Sequence, residues 1–561
     1  MNKNILLTIF GVIIIALISI CALEYNALAY NLQTVYDEGF FYVTSVFAHQ
    51  SIADTQPLTL AQDAINALIP NISQYDVLAL RQYGFIAKTI ALFFLICSSC
   101  FFIYRRYGEK RIDVYMAIIA MGLLFGTHLL PGDLYNMNDV ILILVTISFA
   151  LCLICSVTSS PYFKLSGIVL IGIVAMFTLL CNLPAGCMMI VLCVLFLIFD
   201  GGYNYKKLLY TLLFGLIGLF VGLVITHFFI ISLQDCIEFV LKGVTQTTNG
   251  GRASHHSLSR VILVICFGIR DLTITTLILC GITYICKIIH EKFNQHWLSI
   301  IAAIILFFIA YKWQVKPNMT LASILCCFTI IFLKYHLRYR ELSNNEIILI
   351  LFSFIMPIGL VFGTNTSIIG KAIACSTPWS FLVFYLYYLT RQEKKKYAIC
   401  GMAIVTCCML SMINFSLLFG KQEKLHFESE KPIARMNLTT QQKDFFDEVY
   451  AVLSENGYQG NKKDTLLGFC FNEMTVVAMD AIPYTNDQQP EEFLLHDLDN
   501  LPCPKYMILS EWDSIVLYNR LTELNWDFPD AYDYYKLESN PDPNSGYNMT
   551  QSMIYCRKQC N

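Results

Sequence analysis

Apolar runs of about the length that crosses a bilayer recur from one end of this chain to the other, and no other feature narrows its fold so far. A helix needs roughly 20 apolar residues to span the hydrocarbon. About thirteen runs qualify or come close: residues 4–22, 84–104, 113–130, 139–157, 165–181, 185–199, 208–232, 262–286, 297–311, 319–334, 346–362, 368–390 and 397–419. Only 14% of the 561 residues are charged, against about 25% in a soluble globular protein. The reading is a multi-pass α-helical membrane protein. No A-x-A-like cleavage site follows the first run, which therefore reads as a retained anchor rather than a signal peptide.

Lysine and arginine set the expected orientation, because short cytoplasmic loops hold positive charge. Basic connections occur at 105–111, 164, 206–207, 287–292, 334–340 and 391–396, which is every second connection. That alternation places Met1 in the cytoplasm and, with thirteen spans, everything after residue 420 outside. The outward connections carry the irregular polar sequence: a long first loop over residues 23–83, then Leu130–Asp139, Asn182–Gly186, Gln234–Arg260, Lys312–Asn318 and Gly363–Thr366. Residues 1–420 thus form a polytopic domain. Residues 421–561, in which carboxylates outnumber cations about two to one, form a separate acidic extracytoplasmic domain.

The tail reads as a small α/β domain. A helix is expected over 441–457, strands at 465–471, 475–482 and 506–510, and a second helix near 512–524. Of 22 cysteines, 18 precede residue 421 and lie mostly inside apolar runs, where a thiol acts as a small hydrophobe. Cys470, Cys503, Cys556 and Cys560 in the tail are even in number and able to pair in an oxidising compartment. No cysteine or histidine spacing is that of a zinc site, and no divalent metal is indicated.

The stretch "VYDEGFFYVT" (Val35–Thr44) sets two adjacent carboxylates, Asp37 and Glu38, among aromatic residues at the start of the first outward loop. One reading is structural: Asp37 closes a capping-box-like turn begun by Thr34 at the head of a surface helix. The other is catalytic. A carboxylate beside aromatic rings loses solvation, gains basicity, and can take the proton from a hydroxyl as its oxygen attacks a sugar's anomeric carbon from the face opposite the leaving group.

A first helix, a long outward loop that begins with an acidic pair, about thirteen helices and an outward C-terminal domain together resemble the GT-C superfamily of glycosyltransferases, which use polyprenyl-phosphate or polyprenyl-diphosphate sugars. "YDEGFFY" is similar to the Asp-Glu motif of the protein O-mannosyltransferase and lipid A aminoarabinose transferase branches. The resemblance implies catalysis by Asp37 with Glu38 as its neighbour, and a bacterial inner membrane as the setting. It also implies membrane lipids, a polyprenyl-phosphate sugar and a glycan, lipid or protein acceptor as partners, with no nucleic acid. The chain departs from the oligosaccharyltransferase branch. Asp133 and Asp139 are too far apart for its D-x-D-like metal motif, and "SEWDSIVLY" (Ser510–Tyr518) shares only Trp512 and Asp513 with its WWDYG motif, reading instead as a strand-to-helix turn.

Other candidates lie on the same outward face. Asp133, Tyr135, Asn136 and Asp139 combine carboxylates, an amide and an aromatic ring, suited to gripping a sugar and equally to capping helices. Arg81, Arg252, His255, His256 and Arg260, with Lys316 and Lys371 behind them, are candidate cations for a phosphate leaving group. Arg270 and Asp271, inside an apolar run, are expected to pair with each other. Three alternatives remain open at this point: a transporter or flippase of lipid-linked saccharides, a surface-polysaccharide polymerase or ligase, and a non-enzymatic surface scaffold. Charges cluster at helix ends and no internal repeat appears, contrary to a transporter. The largest loop comes first rather than late, contrary to a polymerase.

Overall fold

The computed structural model describes residues 38–47, 74–112, 137–238, 258–293, 343–359, 377–389, 432–469, 472–487, 489–540 and 551–558, with shorter pieces such as 25–30 and 50–53. Five of the described helices are long and apolar enough to cross a membrane. The expected runs at 4–22, 113–130, 297–311, 319–334 and 397–419 lie wholly or mostly outside the described residues, so the count of thirteen rests on sequence alone.

In chain order the helices are α1 (Glu38–Val46), α2 (Val77–Tyr107), α3 (Met137–Val157), α4 (Pro161–Cys181), α5 (Leu183–Phe199), α6 (Tyr205–Phe229), α7 (Leu258–Phe293), α8 (Asn344–Gly359) and α9 (Thr377–Leu389). At 31 residues α2 is about 46 Å long, some 15 Å more than the hydrocarbon is thick. One or both of its ends therefore stand clear of the apolar layer. Asn182 caps α5 by accepting from the Ala185 amide at 3.0 Å. The Asn182–Gly186 break thus joins α4 to α5 in a tight hairpin, where a side chain on Gly186 would lie 2.6 Å from the Leu179 backbone. Helices α4 and α6 approach just as closely: a Cβ on Gly172 would meet the Gly218 Cα at 2.8 Å, and one on Gly218 would meet the Val169 carbonyl oxygen at 2.2 Å. Glycine admits such backbone contact where lipid supplies no hydrophobic drive.

The polar ends of these helices gather. Arg106 pairs with Asp200 at 3.0 Å, Lys207 donates to the Asp200 carbonyl, and Arg105 donates to the Ser159 hydroxyl at 3.3 Å. The Gly201 amide donates to Asn345 at 3.0 Å, and the Tyr388 hydroxyl to Glu109 at 3.2 Å. The connections at 105–111, 158–164, 200–207 and 343–346 therefore share one end of the bundle. Arg270 and Asp271 pair on the exposed surface of α7 with 2.8 Å between them.

The tail is one mixed five-stranded sheet in the order β2-β1-β3-β5-β4, built from β1 (Thr465–Leu467), β2 (Ile482–Pro483), β3 (Tyr506–Ser510), β4 (Tyr532–Lys536) and β5 (Ser552–Arg557). Strands β2, β1 and β3 run parallel; β5 pairs antiparallel with β3, and β4 with β5. Helix α10 (Thr440–Glu455) starts on a capping box formed by Thr439 and Gln442. The expected strand at 475–482 is instead helix α11 (Glu473–Ala478) followed by β2. Every residue of α11 is buried, which erases the alternation that distinguishes a strand from a helix. The strand-to-helix turn at Ser510 is present: β3 ends there and α12 (Glu511–Glu523) begins, with a capping box between Ser510 and Asp513. Cys503 and Cys556 carry free thiols, and burial pushes the Cys556 thiol up to about 12. Cys470 and Cys560 lie outside the described residues.

Candidate functional site

Helix α1 is short, yet all nine of its residues are buried, so Glu38, one half of the acidic pair read in the sequence, enters a packed interior. Three bodies surround it: the start of α2, the loop around residues 25–32, and the tail.

Arg81, one turn into α2, joins the first two. Its Nε donates to Glu38 Oε1 at 2.8 Å and its Nη2 to the same oxygen at 2.5 Å. Its Nη1 donates to the carbonyls of Leu28 at 2.7 Å and Tyr30 at 3.0 Å. The Arg81 and Glu38 side chains are only 3% and 2% exposed. A guanidinium suits this position because its planar fork can serve a carboxylate and two carbonyls at once. Further along α1, the Tyr42 hydroxyl donates to the Tyr75 carbonyl at 2.8 Å. Burial, with the charges of Asp76 and Asp480 nearby, holds that phenol well above its ordinary pKa and keeps it a neutral donor.

The tail closes the arrangement. A Cβ on Gly39 would lie 2.4 Å from the Met474 amide nitrogen and 2.9 Å from the Glu473 carbonyl carbon, so the backbones of α1 and α11 touch. Around this contact the tail is tied to the segments that precede α2 and to its first turn. The Asn437 amide donates to the Ala29 carbonyl at 2.7 Å, and Val77 to Pro432 at 3.0 Å. Gln442 Nε2 donates to the Leu32 carbonyl at 2.8 Å, and a parallel bridge joins Ala53 to Thr485. Asp76, which caps α2 through the Ala79 amide at 2.7 Å, also pairs with Arg435. The Lys462 ammonium sits 5.1 Å above the Phe47 ring.

The structure thus brings together two of the residues singled out in the sequence, Glu38 and Arg81, and joins them to each other. Asp37, bonded to Glu38, lies outside the described residues, as do Asp133, Tyr135, Asn136, Arg252, His255, His256, Lys316 and Lys371. Asp139 and Arg260 fall in the first turns of α3 and α7. Sequence reasoning passed over Lys88, a buried cation 5% exposed that lies two turns beyond Arg81 on the same face of α2. A lone charge inside the run 84–104 was the available signal. It also passed over Glu473 and Asp480, buried carboxylates in the tail whose proximity to the first loop no local pattern announces. Among the described residues no group of three or more His, Cys, Asp or Glu is placed to hold a metal ion.

No known protein family matches this chain, and no curated protein matches it. Six solved chains do match. One is an oligosaccharyltransferase of Archaeoglobus fulgidus, crystallised with zinc and sulfate, with 12% sequence identity, a TM-score of 0.46, and coverage of 93% of this chain and 72% of that one.

Proposed function

We propose that the chain is an integral membrane glycosyltransferase that moves a sugar from a polyprenyl-phosphate-linked donor to an acceptor hydroxyl on the extracytoplasmic face. The observation that carries this reading is the buried Glu38–Arg81 pair. It fixes the first turn of the helix that follows Asp37, at the junction of α2, the first loop and the tail. A base must be held within a fraction of an ångström of its productive place, and a charged pair sunk between three packed bodies supplies that rigidity.

In this reading Asp37 takes the proton of the acceptor hydroxyl while that oxygen attacks the anomeric carbon. The bond from that carbon to the phosphate oxygen breaks, its electron pair leaves with the lipid phosphate, and configuration inverts. Glu38 orients the turn and Arg81 holds Glu38. Lys88 in α2, with Arg252, His255, His256 and Arg260 from the later outward loop, supplies cations for the phosphate. Asp133, Tyr135, Asn136 and Asp139 grip sugar hydroxyls. The acceptor is a glycan, lipid or protein, and the setting a bacterial inner membrane with the N-terminus cytoplasmic. Lys88 is also the observation that favours a transporter or flippase of lipid-linked saccharides, since a buried cation inside a span suits an anion path.

The test is transfer from a panel of polyprenyl-phosphate sugars by purified protein in lipid, comparing wild type with Asp37→Asn. Turnover in the wild type and none in the variant supports the reading and its base. Equal turnover in both moves the base elsewhere. Lipid-linked sugar moved between leaflets without transfer replaces the enzyme with the transporter.

A further inference from the structure

Helix α1 begins with Glu38, and Gly39 is its second residue. A single methyl group there would fall 2.4 Å from the Met474 nitrogen and 2.9 Å from both the Glu473 carbonyl carbon and the Met474 Cα. All three atoms are backbone, so no side-chain rotation relieves the overlap. Ordinary contact needs about 3.5 Å or more between such atoms, so one helix would have to retreat from the other by roughly 1 Å. The retreat would begin two residues from Asp37 and one from Glu38.

We propose that Gly39 is a positioning residue, through which the C-terminal domain, by its helix α11, sets where the acidic pair stands. Three features support this. The contact falls at the head of α1 rather than at its far end, so displacement acts first on Glu38 and on the peptide that joins it to Asp37. The other side of the same turn is pinned to α2 by the Glu38–Arg81 pair, so α1 is clamped between a membrane helix and the tail rather than resting on one of them. The far end of α1 is gripped independently, by Lys462 of the tail over the Phe47 ring, so the tail touches both ends of the helix. The tail is in this sense part of the reaction centre. Glu473, itself buried, is carried to the same place.

This inference rests on the proposed transferase reading for its kinetic arm only. Full-length protein in lipid is compared as wild type, Gly39→Ala and Lys462→Ala, with amide hydrogen exchange read over residues 40–46, over α2, and over β3 and β5. The expected result for Gly39→Ala is exchange at least tenfold faster at 40–46 with β3 and β5 as protected as in the wild type. Lys462→Ala, a surface change that leaves the backbone contact in place, is expected to speed exchange at 40–46 two- to fivefold. Unchanged protection of 40–46 in both variants overturns the proposal. If Gly39→Ala loses the protection of β3 and β5 as well, the Lys462→Ala result alone decides. In the kinetic arm, Gly39→Ala is expected to lower kcat by about 10- to 100-fold, the usual effect of a 1 Å misplacement, while the KM for a polyprenyl-phosphate sugar stays within about threefold. A raised KM with unchanged kcat overturns the positioning role. A wild type that transfers no sugar removes the enzyme reading and leaves the exchange arm to judge the docking.

Discussion

Replacing Arg81 by methionine tests the centre of the site most directly, because methionine keeps much of the bulk and removes every donor. Two hydrogen bonds to Glu38 and one each to the Leu28 and Tyr30 carbonyls would be lost. The Glu38 carboxylate, only 2% exposed, would lose both of those charged donors. Breaking a buried pair from one side costs about 3–5 kcal/mol, most of it the penalty of the abandoned charge. The loss acts locally on α1 and the loop at 25–30, so amide exchange over residues 40–46 is the suitable assay. A cost of about 3 kcal/mol appears there as roughly 150-fold faster exchange. Glu38→Gln on the Arg81→Met background removes the charge that lost the guanidinium, and the double variant is expected to exchange more slowly than Arg81→Met alone. That non-additivity is the signature of a direct pair. Exchange within fivefold of wild type in Arg81→Met, or strictly additive effects, would refute the clamp.

Two further outcomes follow from other parts of the fold. Burial holds the Asp513 carboxyl up at about 6 despite its hydrogen bonds from the Ser510 amide and hydroxyl. Its folded value exceeds the unfolded one, so the folded tail binds the extra proton between about pH 4 and 6, and this contribution is lost as pH rises through 6; melting of wild type against Asp513→Asn from pH 4.5 to 7.5 should show the wild type losing ground with rising pH. Gly218→Ala is expected to lower the melting temperature in detergent by forcing α4 and α6 apart, whereas Gly215→Ala, with nothing within 4 Å of its added Cβ, should be neutral; equal melting of the two would deny the close crossing.

The membrane helices were legible because lipid imposes a length and a composition that a single sequence displays. The apolar runs at 84–104, 139–157, 165–181 and 208–232 fall inside or largely overlap α2, α3, α4 and α6. The turn at Ser510 was legible for a different reason: the side chains that cap α12 are three residues apart, so the signal is local. Where burial is complete, the pattern fails. The Thr475, Val476 and Val477 run looks like a strand because β-branched residues crowd it, and packing against α1 makes it a helix. Strands β4 and β5 were missed because β4 turns mostly exposed residues outward and the two strands, though paired, are separated in sequence by residues 537–551. At the site, the sequence offered Glu38 as neighbour of the catalytic carboxylate and Arg81 as a candidate cation for a phosphate, and the structure pairs the two across 43 residues. Pairing at that separation leaves no trace in spacing or periodicity.

The bond from Gln442 to Leu32 spans 410 residues, and Asn437 reaches back almost as far to Ala29. At ribosomal speeds of about 5–20 residues per second, roughly 20–80 seconds separate the emergence of the two halves of this junction. Throughout that interval the aromatic, acid-bearing segment around α1 lacks the surface that finally buries it. Biogenesis of this protein therefore includes a waiting period in which the apolar face of α1 has yet to meet the tail that buries it. Any chain halted before residue 432 would stay in that unfinished condition and be open to recognition by quality control.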